Sequence, residues 1–298
     1  MIISVDAGKH TTKAILATAG EKRIFAIRTK LEEQGIMLNQ DGKSFAVEYE
    51  NKKYIIGEAA QITDYETCKT KLCHKISTYV AIIKLGVGDN LIDIVTGCPI
   101  SQFRNKELRE EYAQYIQDRN IQIKINRDTH KFTINSVMVL PESIGVVAEN
   151  IPEFMDNLVG VIDIGGLNTN AAIYENMRPL PSSVFTVIEG GEILNSKIRR
   201  ALNTALMTNY QDYEIAYLRP EGKEKEIVDE ILNAQMEIIL ALCKQFNWNL
   251  KKIPIVFTGG GSQILEKQIK QMHNARISRN PVWDNASGFL RLKEMYRK

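Results

Sequence analysis

The chain has 298 residues, 44% hydrophobic and 25% charged, with a formal charge of +2. That is an ordinary globular composition, long enough for one large core or two domain-sized ones. The near balance of charge excludes a global pull toward nucleic acid or an anionic membrane, so any such partner must be met by a local patch. Four cysteines, Cys68, Cys73, Cys98 and Cys243, are too scattered for a disulfide framework. Cys68 and Cys73 lack the second pair that would complete a zinc site, and they read as buried or idle thiols. No apolar run approaches the ~20 residues of a spanning helix. The first residues run straight into a strand-like segment, without a leader-like pattern, and a cytoplasmic location is expected.

Short β-branched runs predict strands at Ile2–Val5, Lys13–Ala17, Ile24–Arg28, Phe45–Tyr49 and Tyr54–Gly57, followed by a helix at Tyr79–Leu85. A strand at Ile92–Thr96, a helix at Lys106–Gln117, a strand at Phe132–Val139 and a helix at Gly145–Asn150 come next. Beyond them lie strands at Val159–Ile162, Ala171–Tyr174 and Val184–Ile188, then helices at Ile193–Thr208 and Lys223–Gln245. A strand at Ile255–Thr258 and a helix at Leu265–Met272 complete an α/β order. In the longest helix Ile227, Ile231, Ala234, Ile238 and Leu242 share one stripe, which reads as a core face.

The chain repeats itself. Aligning Asp6 with Asp163 superposes Val5-Asp6-Ala7-Gly8-Lys9-His10-Thr11-Thr12-Lys13-Ala14 on Ile162-Asp163-Ile164-Gly165-Gly166-Leu167-Asn168-Thr169-Asn170-Ala171. Asp, Gly, Thr and Ala coincide in register, and each copy reads as strand, polar turn, strand. Two related halves facing each other are expected. A glycine turn presents several backbone N–H groups at once, and such nests hold phosphate oxygens. Thr11, Thr12 and Thr169 add hydroxyl donors; Lys9 and Lys13 add positive charge. Asp6 and Asp163, ending their strands beside phosphate, imply an intervening Mg²⁺ held largely through water. Taken singly, either aspartate could equally cap a tight turn.

Leu140-Pro141-Glu142-Ser143-Ile144-Gly145 follows a strand and opens a helix, with Pro141 near the helix start. Glu142 reads either as a first-turn acid favoured by the helix dipole or as the group that orients or deprotonates an attacking water. The strand Ile255–Thr258 ends in Gly259-Gly260-Gly261, where the backbone must pass something closely. Neither a G-x-G-x-x-G fingerprint nor a G-x-x-x-x-G-K-[ST] loop is present. The reading so far is triphosphate binding between two halves.

In this order the elements resemble the actin/Hsp70/sugar-kinase superfamily. Asp6-Ala7-Gly8…Lys13, Pro141-Glu142-Ser143, Asp163-Ile164-Gly165-Gly166-Leu167-Asn168-Thr169-Asn170 and Gly259-Gly260-Gly261 resemble its phosphate-1, connect-1, phosphate-2 and adenosine motifs. Asn285-Ala286-Ser287-Gly288-Phe289 resembles connect-2, where the chain returns to the first half. Within the superfamily, Tyr54-Ile55-Ile56-Gly57-Glu58-Ala59-Ala60, Val95-Thr96-Gly97-Cys98-Pro99-Ile100 and Leu140–Gly145 resemble segments of ParM-type bacterial actins, the cytoskeletal ATPases of plasmid partition.

This resemblance implies an actin-like, ribonuclease H-like α/β fold with two related domains around a nucleotide cleft. Domain I would take residues 1–145, with an insertion subdomain about 26–75 and a return about 280–298. Domain II would take 146–279, with a subdomain about 195–250. The resemblance further implies a filament-forming ATPase, or GTPase, whose hydrolysis destabilises the polymer. A DNA-binding adaptor would link it to plasmid DNA, with no direct nucleic-acid or membrane contact. By position, Asp6 and Asp163 would serve Mg²⁺, Glu142 and Asp163 would be catalytic, and Lys13 would reach the inner phosphates. Gly8, Lys9, His10, Thr11, Gly165, Gly166, Leu167, Asn168 and Thr169 would line the phosphate turns. Gly190 would lie near the ribose, and Gly260, Gly261 and Ile264 would flank the base. Asn170 stands where relatives often carry Asp or His, which implies slower hydrolysis or hydrolysis resting on Glu142. Lys9 replaces a small polar residue. A sugar or acetate kinase and a non-polymerising scaffold are the alternatives. Arg291–Lys298 reads as a short basic tail, and Lys197-Ile198-Arg199-Arg200 as a solvated helix face.

Overall fold

The first strand ends at Ala7, and a turn around Gly8 sends the chain back beside itself. The structure, a computed structural model, describes residues 1–18, 20–33, 42–63, 66, 68–87 and 91–296. Parts of the expected 26–75 subdomain and the last two residues of the expected tail lie outside them. The described residues divide into two units, one of Met1–Asn150 with Trp283–Lys298 and one of Ile151–Val282.

The first unit contains strands β1 (Ile2–Ala7), β2 (Thr11–Thr18), β3 (Glu21–Arg28), β4 (Leu31–Glu33), β5 (Ser44–Tyr49), β6 (Lys52–Gly57), β7 (Leu91–Cys98), β8 (Ile121–Ile125) and β9 (Asp128–Pro141). Their order is β3-β2-β1-β7-β9-β8-β5-β6-β4. The long strand β9 pairs with β8 through Phe132 and with β7 from Thr133 onward. A register shift at Ile92/Asp93 bends the ladder there, as a bulge does. β1 and β7 are apolar runs because they lie parallel and are buried on both faces.

The second unit contains β10 (Leu158–Ile164), β11 (Thr169–Glu175), β12 (Arg178–Pro179), β13 (Phe185–Val187), β14 (Ile255–Thr258) and β15 (Ala275–Ile277). Their order is β12-β11-β10-β14-β15, with β13 also paired to β11. The sequence repeat is a structural one. Asp6 faces Lys13 and Val5 faces Ala14 in the first hairpin; Asp163 faces Asn170 and Ile162 faces Ala171 in the second. Parallel strands then place Thr96 beside Val5 and Phe257 beside Ile162. On the outer side Phe25 faces Ala14 and Phe185 faces Ala171. Four strand positions therefore recur in one register.

Several elements differ from the sequence reading. Pro141 is the last residue of β9, and the helix begins at Ile144 after Ser143, whose φ of 79° is left-handed. The helix read as Tyr79–Leu85 begins at Leu72, because its first two turns also bury Cys73, His74 and Ile76. The expected helix Leu265–Met272 is a short turn, Gly261–Ile264, followed by Glu266–Lys270. In the helix Gly222–Gln245 the buried face is Val228, Leu232, Gln235, Met236, Ile239 and Cys243. The expected stripe is one residue out of phase with it: Ile238 is 40% exposed, while Ile227, Ile231 and Leu242 only flank the core. The expected basic tail is largely helix. Asp284–Met295 buries Ala286, Phe289, Leu290 and Leu292 against the first unit, a helical spacing the lysines and arginines mask.

That last helix crosses the helix Ile144–Glu149 at two glycines. A Cβ on Gly288 would stand 2.2 Å from the Gly145 carbonyl oxygen, and one on Gly145 would stand 2.3 Å from that of Asp284. Both obstacles are backbone, which cannot swing aside. Alanine at Gly288 gains up to ~1 kcal/mol of helix propensity, whereas forced overpacking costs about 1–3 kcal/mol. Gly288→Ala should therefore lower the denaturation midpoint, as chemical unfolding would show.

His74, in the helix Leu72–Lys84, is fully buried, and neither ring nitrogen has a hydrogen-bond partner among the described residues. Burial, and then the charges of Lys69 and Lys9, hold its pKa well below the usual imidazole value. The unfolded chain takes up this proton below about pH 6.5 while the folded chain does not. Stability should consequently fall as pH drops below that point, by up to ~1.4 kcal/mol per pH unit from this residue. Urea unfolding from pH 6.5 to 5 should show a shallower pH dependence for His74→Leu than for the parent chain.

Candidate functional site

In the first unit the turn after β1 is held from several sides. The Gly8 N–H donates to the Asp6 carbonyl at 2.9 Å. A Cβ on Gly8 would fall 2.6 Å from the Thr11 carbonyl oxygen, so this tight turn excludes any larger residue. Thr29 Oγ1 donates to the Gly8 carbonyl at 2.7 Å and is linked through Thr12 Oγ1 to Ser77 Oγ. Thus hydroxyls from β2, the segment after β3 and a helix fasten the turn. His10 bonds Thr11 Oγ1 through Nδ1 and also meets the Arg28 guanidinium.

The charged groups form a buried cluster. Lys13 Nζ, on β2, lies 2.7 Å from Oδ2 of Asp6, the residue of β1 that directly faces it. Lys9 Nζ donates to the Cys68 carbonyl at 2.6 Å. Lys69, which is 2% exposed, donates to the Ala7 carbonyl at 2.6 Å and lies 2.8 Å from Glu142 Oε1. Burial alone would depress the pKa of Lys69, but the carboxylates around it, Glu142 foremost, raise it above the ordinary lysine value. Burial and the Glu142 charge push the Cys98 thiol up to about 12, so it is an inert neighbour.

Glu142 owes its place to the bend that ends β9. Its N–H donates to the Cys98 carbonyl at 2.8 Å, and left-handed Ser143 is retained by an N–H bond to Asn285 Oδ1. Glu142 therefore precedes the helix and turns inward, only 6% exposed. Gly97 lies under it: a Cβ there would meet the Phe289 ring at 2.4 Å and Glu142 Cγ at 3.5 Å.

In the second unit three glycine segments converge. The Gly165 N–H donates to the Asn168 carbonyl at 2.8 Å, closing the turn Gly165-Gly166-Leu167-Asn168. The helix Gly191–Leu206 starts against it: the N–H groups of Gly191 and Glu192 donate to the Gly165 and Gly166 carbonyls at 2.9 and 2.7 Å. These bonds satisfy first-turn donors that no side chain caps. Gly190 fits because a Cβ would stand 2.4 Å from the Gly166 carbonyl oxygen. Gly259, at φ +79°, has neither the conformation nor the space for a side chain, since a Cβ would lie 2.5 Å from Asp163 Oδ1. Gly191 sits against Ile264 and Gly261, while nothing approaches a Cβ built on Gly260. Thr169 Oγ1 donates to the Glu189 carbonyl, and Asn170 Oδ1 accepts from Thr186. Lys197 binds Glu189 and Gln235, Arg199 binds Asp212, and Ile198 is in the core, so only Arg200 of that stretch is a solvated face.

The structure thus gathers Asp6, Gly8, Lys9, His10, Thr11, Lys13 and Glu142 in one unit, and Asp163, Gly165, Gly166, Leu167, Asn168, Thr169, Gly190, Gly260, Gly261 and Ile264 in the other. Lys69 is the residue that sequence reasoning missed; it stands in a polar stretch without a motif. Asp6 and Asp163 are hard oxygen donors of the kind Mg²⁺ takes one or two of, with water and phosphate completing its shell. Among the described residues no three or more His, Cys, Asp and Glu side chains gather as a metal cage, and no helix is long and apolar enough to cross a membrane.

Residues 4–145 match the family described as actin like proteins N terminal domain. No curated protein sequence matches the chain. Among solved structures, the Alp12 filament is 26% identical with a TM-score of 0.71, over 100% of this chain and 99% of that one. A 15-stranded ParM filament from Clostridium botulinum is 15% identical with a TM-score of 0.79, over 99% of each chain. An archaeal actin homologue in complex with ADP is 15% identical with a TM-score of 0.78, over 100% and 99%. Residues 4–145 are thus similar to the actin-like N-terminal domain family, and the whole chain has the fold of actin homologues, the ParM-type proteins among them.

Proposed function

We propose that this chain binds and hydrolyses a nucleoside triphosphate, ATP or GTP, and assembles into filaments that move plasmid DNA through an adaptor. The observation that carries the nucleotide reading is the recurrence of one hairpin register, with a buried aspartate before a glycine turn in both units. The filament reading is supported by the Alp12 and ParM structures, both filaments, and the nucleotide by the ADP complex of the archaeal homologue. Plasmid DNA and the adaptor enter through the likeness to ParM.

Backbone N–H groups and hydroxyls of the two turns, at Gly8, Lys9, His10 and Thr11 and at Gly165, Gly166, Leu167, Asn168 and Thr169, bind the phosphates. Gly190 lies near the ribose, and Gly260, Gly261 and Ile264 flank the base. Lys13, paired with Asp6 at 2.7 Å, would reach the inner phosphates, and Asp6 and Asp163 would hold Mg²⁺, largely through water. The metal, when bound, neutralises charge on the terminal phosphate. Glu142 orients the attacking water and accepts its proton. Hydrolysis then weakens contacts between subunits and destabilises the polymer.

The test combines sedimentation with phosphate release, using ATP, GTP and a non-hydrolysable analogue. Triphosphate-dependent polymer and phosphate release are expected together. Turnover that requires added sugar or acyl substrate, without polymer, would overturn the reading in favour of a small-molecule kinase. In the same assay Glu142→Ala should still polymerise while hydrolysing about 10²–10⁴-fold more slowly.

A further inference from the structure

Two buried lysines cross between the first turn and the segment that precedes the helix Leu72–Lys84. Lys9, in the turn, donates to the carbonyl of Cys68, and Lys69, the next residue along, donates to the carbonyl of Ala7. Both bonds are 2.6 Å long. Each segment therefore holds the other through an ammonium group. A buried ammonium loses its hydration, and only short contacts to carbonyl or carboxylate oxygens replace it. Lys69 obtains two such contacts, to Ala7 and to Glu142 Oε1 at 2.8 Å. Its three protons diverge from one nitrogen, so holding both oxygens fixes their relative position.

We infer that Lys69 is the positioning residue of the hydrolytic site, fixing the Glu142 carboxylate relative to the Ala7–Gly8 turn. This rests on the assignment of Glu142 to the attacking water made above. A glutamate stem has several rotatable bonds, and a carboxylate free to swing would seldom meet a water in line with phosphorus. With one oxygen held by Lys69 and its Cγ lying over Gly97, Glu142 is confined before the water arrives. The turn and the carboxylate also share one tether. Any displacement of Ala7–Gly8 is passed to Glu142 through the Lys69 ammonium. Lys69 acts through Glu142 and is assigned no contact with phosphate.

The experiment uses the full chain and measures steady-state phosphate release beside the affinity for a non-hydrolysable ATP analogue. Lys69→Met should lower kcat about 10²-fold, the cost of misplacing a reacting group by an ångström, with analogue affinity unchanged. Lys69→Met removes the ammonium group from beside the buried Glu142, so Lys69→Gln, which keeps a donor for the carboxylate, provides a second variant should the first not fold. It should lose roughly tenfold in kcat, again at constant affinity. In a Glu142→Ala background Lys69→Gln should cause no further loss, because the residue through which it acts is gone. Wild-type kcat for Lys69→Gln, a parallel fall in analogue affinity, or an additional loss in the Glu142→Ala background would each overturn the inference. If the parent chain releases no phosphate, or Glu142→Ala releases it at the parent rate, the functional assignment itself fails and this inference with it. If Glu142→Ala is impaired and both Lys69 variants match the parent, only the role of Lys69 fails.

Discussion

Two ion pairs lie in the interior of the first unit, Asp6 with the partly buried Lys13 and Glu142 with the buried Lys69. Burying any one of these charges alone would cost several kcal/mol, and the pairing dictates much of the surrounding chain path. Lys13 can face Asp6 only if β1 and β2 keep their register, because a slip of one residue would send its side chain to the opposite face of the sheet. Lys69 can reach Glu142 only if its own segment lies against Ala7 and β9 ends in the bend at Ser143. Strand register, a connecting segment and a helix entry thus depend on the same small set of charges.

Glycine supplies the complementary constraint, since each close approach is between backbones. Gly145 and Gly288 allow two helices to cross with carbonyls almost in contact, and Gly97 admits the Phe289 ring. In the second unit Gly190, Gly259 and Gly261 let three segments pack around the end of β10. Stacking backbones this tightly leaves little side-chain bulk around Asp163, and it permits a ligand to be approached by N–H groups rather than by long flexible side chains. Such a scaffold suits a polyanion, whose oxygens accept from many short donors at once.

The repeat and the glycine turns were legible because backbone requirements leave a residue-level signature: an aspartate ending an apolar run, then glycine, then threonine. The central strands were legible for the same reason, as continuous apolar stretches. Ile121–Ile125 alternates cleanly and was still overlooked, because it follows a charged helix and is short. Lys69 could not be recognised. Its role depends on Ala7 and Glu142, which are remote in sequence and adjacent only through the sheet, and one lysine among several in a polar stretch carries no spacing signal. The phase of the helix Gly222–Gln245 was misread because Ile227, Ile231 and Ile238 line one edge of its buried face, so hydrophobicity alone does not choose between neighbouring stripes. The C-terminal helix was hidden by Arg291 and Lys293, which interrupt the apolar run of Phe289, Leu290 and Leu292 without contradicting a helical face.

The two hairpins share a backbone and differ in charge. The first has Lys9 and Lys13 where the second has Asn168's neighbourhood of Gly166 and Asn170, neutral at both aligned positions. Duplicated geometry therefore carries divided labour in the proposed function. The first turn brings the cations that answer phosphate charge and, through Lys69, the carboxylate that acts on water. The second brings backbone donors and Asp163. The neutral Asn170, bonded to Thr186, supplies hydrogen-bonding capacity without a charge of its own, so electrostatic control of the attacking water falls to the Glu142–Lys69 pair. Under the proposed function, that division accounts for a lysine with no motif buried so deeply in the first unit: the chemistry assigned there needs a fixed cation behind its carboxylate.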